Sequence, residues 1–249
     1  MRFLRALIYY FVLLLAAIPV GISCVLCWPF VDINRRYDWF VRTWMRFALR
    51  AGKWICGLDY EVRGAENLPD ASTKAVIFCK HQSAWETLFI PAWMPERVGY
   101  VYKESIHWIP FFGWAVKSMQ MIPIDRSNGR KSFEQILRGG SVMLNRGWWV
   151  GIFPEGTRVA PGVTSTYKSG AARFAAREKA VIVPIAVNSG EFWPRNSFGK
   201  IPGKIIVSIG PAVPTEGKTF AEANHIASEW IEAEVRRIGN PKFYKEKQQ

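Results

Sequence analysis

Hydrophobic and polar positions divide the chain into two textures. From Ala6 to Val31 there are 26 residues without a charge, more than the roughly 20 that a helix needs to cross a bilayer. Pro19 and Gly21 interrupt this run near its middle, so it either spans or dips in and bends back. Beyond it, at about 100° per residue, Arg42, Arg46, Arg50 and Lys53 fall in one stripe, with Phe40, Trp44, Phe47, Ala51 and Trp54 opposite. A basic stripe across from an aromatic face describes a helix lying in a membrane surface. The same pattern also suits a helix that packs its aromatics into a core. On the interfacial reading the membrane-binding residues are Arg42, Trp44, Arg46, Phe47, Arg50, Lys53 and Trp54.

After Gly57 short apolar runs alternate with stretches of helical length. Val76–Cys79, Val98–Tyr102, Met121–Ile124, Trp148–Phe153, Val181–Val187 and Ile205–Ile209 read as strands. Ala84–Met94, Phe111–Ser118, Ser127–Asn145, Thr166–Lys179 and Thr219–Ile238 read as helices, and a polar, basic tail follows Pro241. The alternation predicts an α/β fold, a mixed sheet covered by helices, preceded by an N-terminal membrane-anchoring helical segment. Residues 1–57 form the anchor and interfacial helix, and 58–249 the α/β domain.

Composition sharpens the membrane reading. The chain has 249 residues, a formal charge of +13 and 12 Trp. Such a basic excess goes with nucleic acid, an anionic membrane or a phosphorylated substrate. Many indoles beside many cations favour the membrane, since Trp concentrates at the lipid–water boundary. Much of the basic excess in the first 53 residues flanks the apolar run, so an anionic leaflet is the expected partner and nucleic acid is not. Arg35, Arg36, Arg42, Arg46, Arg50 and Lys53 outnumber Arg2 and Arg5. The side after the apolar run should therefore face the cytoplasm. Cys24 and Cys27 lie within that run and read as small apolar residues. With no second cysteine pair at finger spacing and no H-E-x-x-H, no metal site is expected.

Three polar clusters follow apolar strands: Lys80-His81, Asp125-Arg126, and Pro154-Glu155-Gly156-Thr157-Arg158. They converge if those strands are neighbours ending on one edge. His81 can remove a proton from a hydroxyl near neutral pH, and a carboxylate on its other nitrogen would fix its tautomer. Glu86 lies five residues on, about 140° away if both shared a helix. The two meet only if His81 precedes the helix and Glu86 lies in its first turn. Ser83-Ala84-Trp85-Glu86 supplies such a start as a capping box, with Ser83 as N-cap, and capping alone would also account for Glu86. In the third cluster, backbone amides, Thr157 and Arg158 could bind an anion while Glu155 accepts from hydroxyls. A charged turn with an internal Glu–Arg pair is the plainer alternative. Arg126 suits bidentate phosphate binding. Lys103, following the Val98–Tyr102 run, joins the candidate substrate-binding residues.

His81-Gln82-Ser83-Ala84-Trp85-Glu86, Ile124-Asp125-Arg126, Phe153 to Arg158, and Val183-Pro184-Ile185 resemble, in order, the four blocks of the glycerolipid acyltransferase family. Its members include 1-acyl-sn-glycerol-3-phosphate acyltransferases. Lys168-Ser169-Gly170 matches a K-x-G that follows the third block. The first block here ends in Glu86 where the family usually has Asp, as in a bacterial branch, and Gln120 stands where the second block usually opens with Gly. The resemblance implies that His81 is a general base on a glycerol hydroxyl, oriented by Glu86. It implies that Arg126 holds the acceptor phosphate, helped by Glu155, Gly156, Thr157 and Arg158, with Lys168 nearby. The hydroxyl would attack an acyl thioester directly, with acyl-CoA or acyl carrier protein as donor and no cofactor. No G-x-S-x-G occurs, in keeping with the absence of an acyl-enzyme. Lysophosphatidic acid would yield phosphatidic acid at the cytoplasmic face of a bacterial inner membrane. A different lysolipid acceptor, such as lyso-ornithine lipid, and a non-catalytic lipid-binding role are the alternatives.

Overall fold

A computed structural model of the chain describes residues 1–109, 112–125 and 128–244. Helices α1 (Arg2–Leu26), α2 (Ile33–Arg36) and α3 (Thr43–Cys56) come first. The body follows as β1 (Leu58–Arg63), β2 (Ala75–Cys79), α4 (Trp85–Trp93), β3 (Val98–Lys103), α5 (Phe112–Ser118), β4 (Ile122–Ile124) and α6 (Gly129–Asn145). It continues with β5 (Trp149–Ile152), α7 (Gly170–Arg177), β6 (Val181–Val187), β7 (Gly203–Ile209) and α8 (Phe220–Ile238). The strands form one sheet in the order β1-β7-β6-β2-β5-β3-β4. All neighbours are parallel except β6 and β7, so the sheet is mixed as expected.

The continuous apolar run of β2 has a direct cause. Val76 and Phe78 enter a core shared with α6, α7 and α8, while Ala75, Ile77 and Cys79 enter one shared with α1, α3 and α4. A strand buried on both faces loses the alternation that marks a half-exposed one. β1 escapes the sequence reading for the opposite reason. It is an edge strand that alternates Leu58, Tyr60 and Val62 with Asp59, Glu61 and Arg63, a period of two short enough to pass as loop.

The apolar run is helical without a break as far as Leu26, the end of α1, despite Pro19, and its last residues turn out of the helix. Its buried residues run from Ala6 to Cys24, so it docks lengthwise on the body. Outward it presents Phe3, Leu4, Leu7, Phe11, Leu14, Leu15 and Leu26. Near its start, Lys200 lies inside a ring of Tyr9, Tyr10, Trp193 and Phe198, with Nζ 3.6 Å from the Tyr10 centroid and 4.3 Å from Trp193. Burial pushes the Lys200 ammonium down to about 8. The aromatic faces favour the cation, and the pair of elements is thereby clamped together.

The basic stripe does not stay together as one membrane-facing row. Helices α2 and α3 join through a wide π turn over Tyr37–Arg42. Arg46 donates to the carbonyl of Ala92 in the last turn of α4, and Arg42 to those of Met94, Pro95 and Glu96 just beyond it. A helix leaves its last carbonyls without partners, and cations complete them. Trp44 turns inward onto a cavity, and Lys53 pairs with Asp59 at 3.0 Å. Phe47, Arg50 and Trp54 remain exposed. The helix ends at Gly57, whose φ of 72° is the left-handed conformation that closes a C-terminus.

Candidate active site

Strands β2, β5, β3 and β4 are parallel neighbours, so their C-terminal ends share one edge of the sheet. This is the strand arrangement that convergence of the polar clusters requires. The second cluster is cut short: Arg126 lies outside the described residues. Gln120, at the block's opening, has a φ of 53°. The left-handed turn usual for Gly is therefore kept by a residue with a side chain, whose Oε1 accepts from Arg146 at 2.6 Å.

β2 extends its pairing one residue past Cys79, as Lys80 N–H donates to the carbonyl of Ile185 in β6 at 2.9 Å. The chain then turns, and α4 starts at Trp85. His81 thus precedes the helix and Glu86 lies in its first turn, which is the arrangement their spacing demands. His81 Nδ1 lies 2.9 Å from Glu86 Oε1. The same oxygen accepts the N–H groups of Gln82 and Ser83 at 2.7 Å each, and Oε2 accepts the Ser189 hydroxyl at 2.6 Å. Burial pushes the Glu86 carboxyl up, but the bonds from His81, Ser189 and the Ser83 N–H together hold it below the ordinary glutamate value. An ionised carboxylate can only accept, so Nδ1 is the donor in this bond, and the neutral form of the ring then has its lone pair on Nε2. The His81 ring also stacks on Phe153, centroids 4.0 Å apart and planes at 18°.

The capping box differs in detail from expectation. Ala84, not Ser83, is the N-cap, because Ser83 Oγ accepts from Trp85 N–H at 2.8 Å instead of from residue 86. Glu86 returns the other half of the box to the Ser83 N–H. It therefore caps the turn and orients the imidazole with one carboxylate.

Glu155 is placed elsewhere than a group accepting from substrate hydroxyls would be. Its side chain is fully buried, and both oxygens are committed within the protein. Oε2 accepts the backbone N–H of His81 at 2.6 Å. Oε1 lies 2.9 Å from Lys80 Nζ and accepts the Ser165 hydroxyl at 3.1 Å. Lys80 is itself buried and makes a second ion pair, at 2.6 Å, with Glu232 of α8. Burial pushes the Glu155 carboxyl above its ordinary value against the pull of Lys80. The turn continues through Gly156, with φ at 71°, where a Cβ would stand 2.9 Å from Lys168 Nζ. Val159 N–H donates to the His81 carbonyl at 2.7 Å and ties the first and third blocks together.

His81, Lys103, Thr157 and Arg158 all face one cavity of about 690 Å³, within the roughly 300–1,000 Å³ usual for small-molecule sites. Its mouth is cationic. Its depth is apolar, walled by Ala17, Val20 and Cys24 of α1, Val41 and Trp44 of the π turn and α3, and Val116, Met119 and Met121. Lys168 stands over Gly156 beside this mouth and does not line it. Two contributors were absent from the sequence reading. Arg195 lines the mouth and donates through Nη1 to the carbonyl of Arg158 at 2.7 Å. Ser189 completes the shell of Glu86. Both come from the segment after β6, the strand of the Val-Pro-Ile block. A search of the loop after each strand would have included them.

The model of the family described as Acyltransferase matches residues 59–188. A 1-acyl-sn-glycerol-3-phosphate acyltransferase of Pseudomonas aeruginosa is 36% identical over 238 residues, which cover 94% of this chain and 91% of that one. The human 1-acyl-sn-glycerol-3-phosphate acyltransferase alpha is 31% identical over 70% of this chain and 62% of its own. Among solved structures, the 1-acyl-sn-glycerophosphate acyltransferase from Thermotoga maritima superposes with a TM-score of 0.78, over 96% of this chain and 98% of that one. At 20% identity that match speaks to the fold. The chain belongs to the acyltransferase family, and it is an enzyme of the 1-acylglycerol-3-phosphate O-acyltransferase type.

Proposed function

We propose that the enzyme moves a fatty acyl group from an acyl thioester to the sn-2 hydroxyl of 1-acylglycerol 3-phosphate, giving phosphatidic acid. One observation carries the reading: an imidazole oriented by a buried carboxylate faces a cavity that is cationic at its mouth and apolar in its depth. His81 Nε2 takes the hydroxyl proton as the oxygen attacks the thioester carbonyl. The C–S bond then breaks, and the leaving thiolate recovers the proton from the imidazolium. No acyl-enzyme intervenes. Lys103, Arg158 and Arg195 bind the acceptor phosphate, with Arg126 as the further cation from the second block and Thr157 as a hydroxyl donor. The apolar depth receives a fatty chain. Glu155 acts from behind, holding the His81 backbone and Lys80. General-base help is worth about 10²–10⁴-fold, and positioning in the cavity supplies the remainder.

Either acyl-CoA or acyl carrier protein fits as donor, since both present a thioester from the cytoplasm. The exposed apolar face of α1, with Phe47, Arg50 and Trp54 of α3, rests on the anionic cytoplasmic leaflet, so that the lipid acceptor arrives along the surface. The test is product identification after incubating the protein in vesicles with lysophosphatidic acid and a labelled acyl thioester, donors supplied singly. Labelled phosphatidic acid should form, and His81→Ala should reduce it by more than about tenfold. Survival of the rate in that variant would remove the base role. Equal turnover of an acceptor without a phosphate would remove the substrate assignment.

A further inference from the structure

Aromatic side chains leave the body at a place other than α1 and α3. Trp108 is 85% exposed, and Ile109 and Trp114 are 48% and 50% exposed. All three belong to the passage between β3 and β4. The inner side of this passage is already committed: Ile106, Ala115 and Val116 line the cavity, and Ser118 Oγ meets Cys24 Sγ of α1 at 3.3 Å. The outward rings are therefore not core side chains lacking a place. α5 packs on α1, so they stand beside a helix whose outer face is itself apolar. Exposed lysines, Lys103 and Lys117, bracket the passage at either end. Indoles between ammonium groups suit the headgroup boundary, where the ring body meets hydrocarbon and cations meet phosphates.

A second copy of this chain fits the patch less well. A stable interface takes about 800 Å² from each partner, more than three side chains provide, and a chain of net charge +13 repels its own copy. An anionic bilayer has the opposite charge and accepts a patch of any size. We propose that the segment from Lys103 to Ile109, together with α5, is a second membrane-inserted element, and that Trp108 and Ile109 sit at the headgroup boundary of the leaflet on which α1 rests. The assignment is independent of the reaction: a chain inactive towards lysophosphatidic acid would insert in the same way.

The test uses the full chain with Cys27→Ser, since the other native cysteines are buried. Trp108→Cys and, separately, Ile109→Cys carry an environment-sensitive nitrobenzoxadiazole label, with Glu229→Cys on α8 as the reference position. Each protein is reconstituted in phosphatidylglycerol-containing vesicles, with or without lipids bearing a nitroxide near the headgroup. The label at 108 or at 109 should lose most of its emission to the nitroxide lipid, while the label at 229 keeps its own. Emission at both tip positions that tracks position 229 would overturn the proposal. So would protection from nitroxide that disappears as the protein is diluted in lipid, which would identify a second copy as the occupant.

Discussion

Two carboxylates grip the same histidine from opposite sides, and the contrast between them explains much of the site. Glu86 reaches the ring, at Nδ1, while Glu155 reaches the backbone N–H of the same residue. Both are buried. Glu86 is held by three N–H or ring donors and one hydroxyl, and its carboxyl is kept below the ordinary value. Glu155 has a buried cation beside it, yet its carboxyl is raised. At Glu86 burial is outweighed by the hydrogen bond and charge of His81, with the Ser189 and Ser83 donors, whereas at Glu155 burial outweighs Lys80, the His81 N–H and Ser165. On the proposed mechanism the first acid governs where the imidazole proton sits, and the second sets where the imidazole is.

The largest effect that separates these roles is expected from Glu86→Gln. The amide can donate to Nδ1 and so favours the tautomer with its lone pair on the wrong nitrogen. On the triad precedent, kcat should fall about 10³–10⁴-fold, with the variant still folded. A rate within tenfold of the parent would mean that Glu86 only caps the turn. Glu155→Gln should invert the pattern. Lys80 would lose one of its two anions while keeping Glu232, at a cost of about 3 kcal/mol in unfolding free energy. Its kcat per folded molecule should change far less than that of Glu86→Gln. Chemical denaturation paired with active-site titration reads both quantities. An unchanged midpoint for Glu155→Gln would end the positioning role.

The two acids also differ in how far the sequence reveals them. Strand ends were legible, because β2 and β6 are apolar runs stopped by polar residues, and the Glu86 turn was legible through its spacing from His81. The burial of Glu155 was not, since a Pro-Glu-Gly-Thr-Arg turn looks exposed until Lys80 and Glu232 are brought to it from 75 and 77 residues away. The partners of the basic stripe were hidden for a related reason. Periodicity assigns Arg42 and Arg46 to one face but not to what that face meets, and the carbonyls ending α4 are backbone groups with no signature of their own. β1 was legible in principle by its alternation. Arg195 lies in a loop whose sequence carries no periodic or motif signal, and only the parallel ends of the strands bring it to Arg158.

A smaller effect tests the cationic mouth against both acids. Arg195→Ala removes a charged donor from the cavity, worth about 1.5–3 kcal/mol. KM for a phosphate-bearing acceptor should therefore rise roughly ten- to a hundredfold with kcat little changed. Arg195→Lys should recover part of the loss, since a point charge remains without the fork. A fall in kcat at constant KM would instead place Arg195 with the transition state.

The smallest effect has the clearest sign. For Glu86 the folded value lies below the ordinary 4.5, so between the two the unfolded chain binds more protons. Its contribution to stability is fully present above about 4.5 and is lost as pH falls through the folded value. For Glu155 the folded value lies above 4.5, so the folded chain binds more protons. Stability from this group falls as pH rises past 4.5 and levels off once the folded value is passed. Removing each acid should therefore change the pH slope of stability in opposite directions. Glu86→Gln should flatten the loss seen on acidification below 4.5, and Glu155→Gln should steepen the net gain on raising pH above it. Urea midpoints across the acid range, compared with the parent, give both slopes. Slopes that move the same way would mean that the two carboxylates share one titration through His81, and that the division between proton placement and backbone placement is wrong.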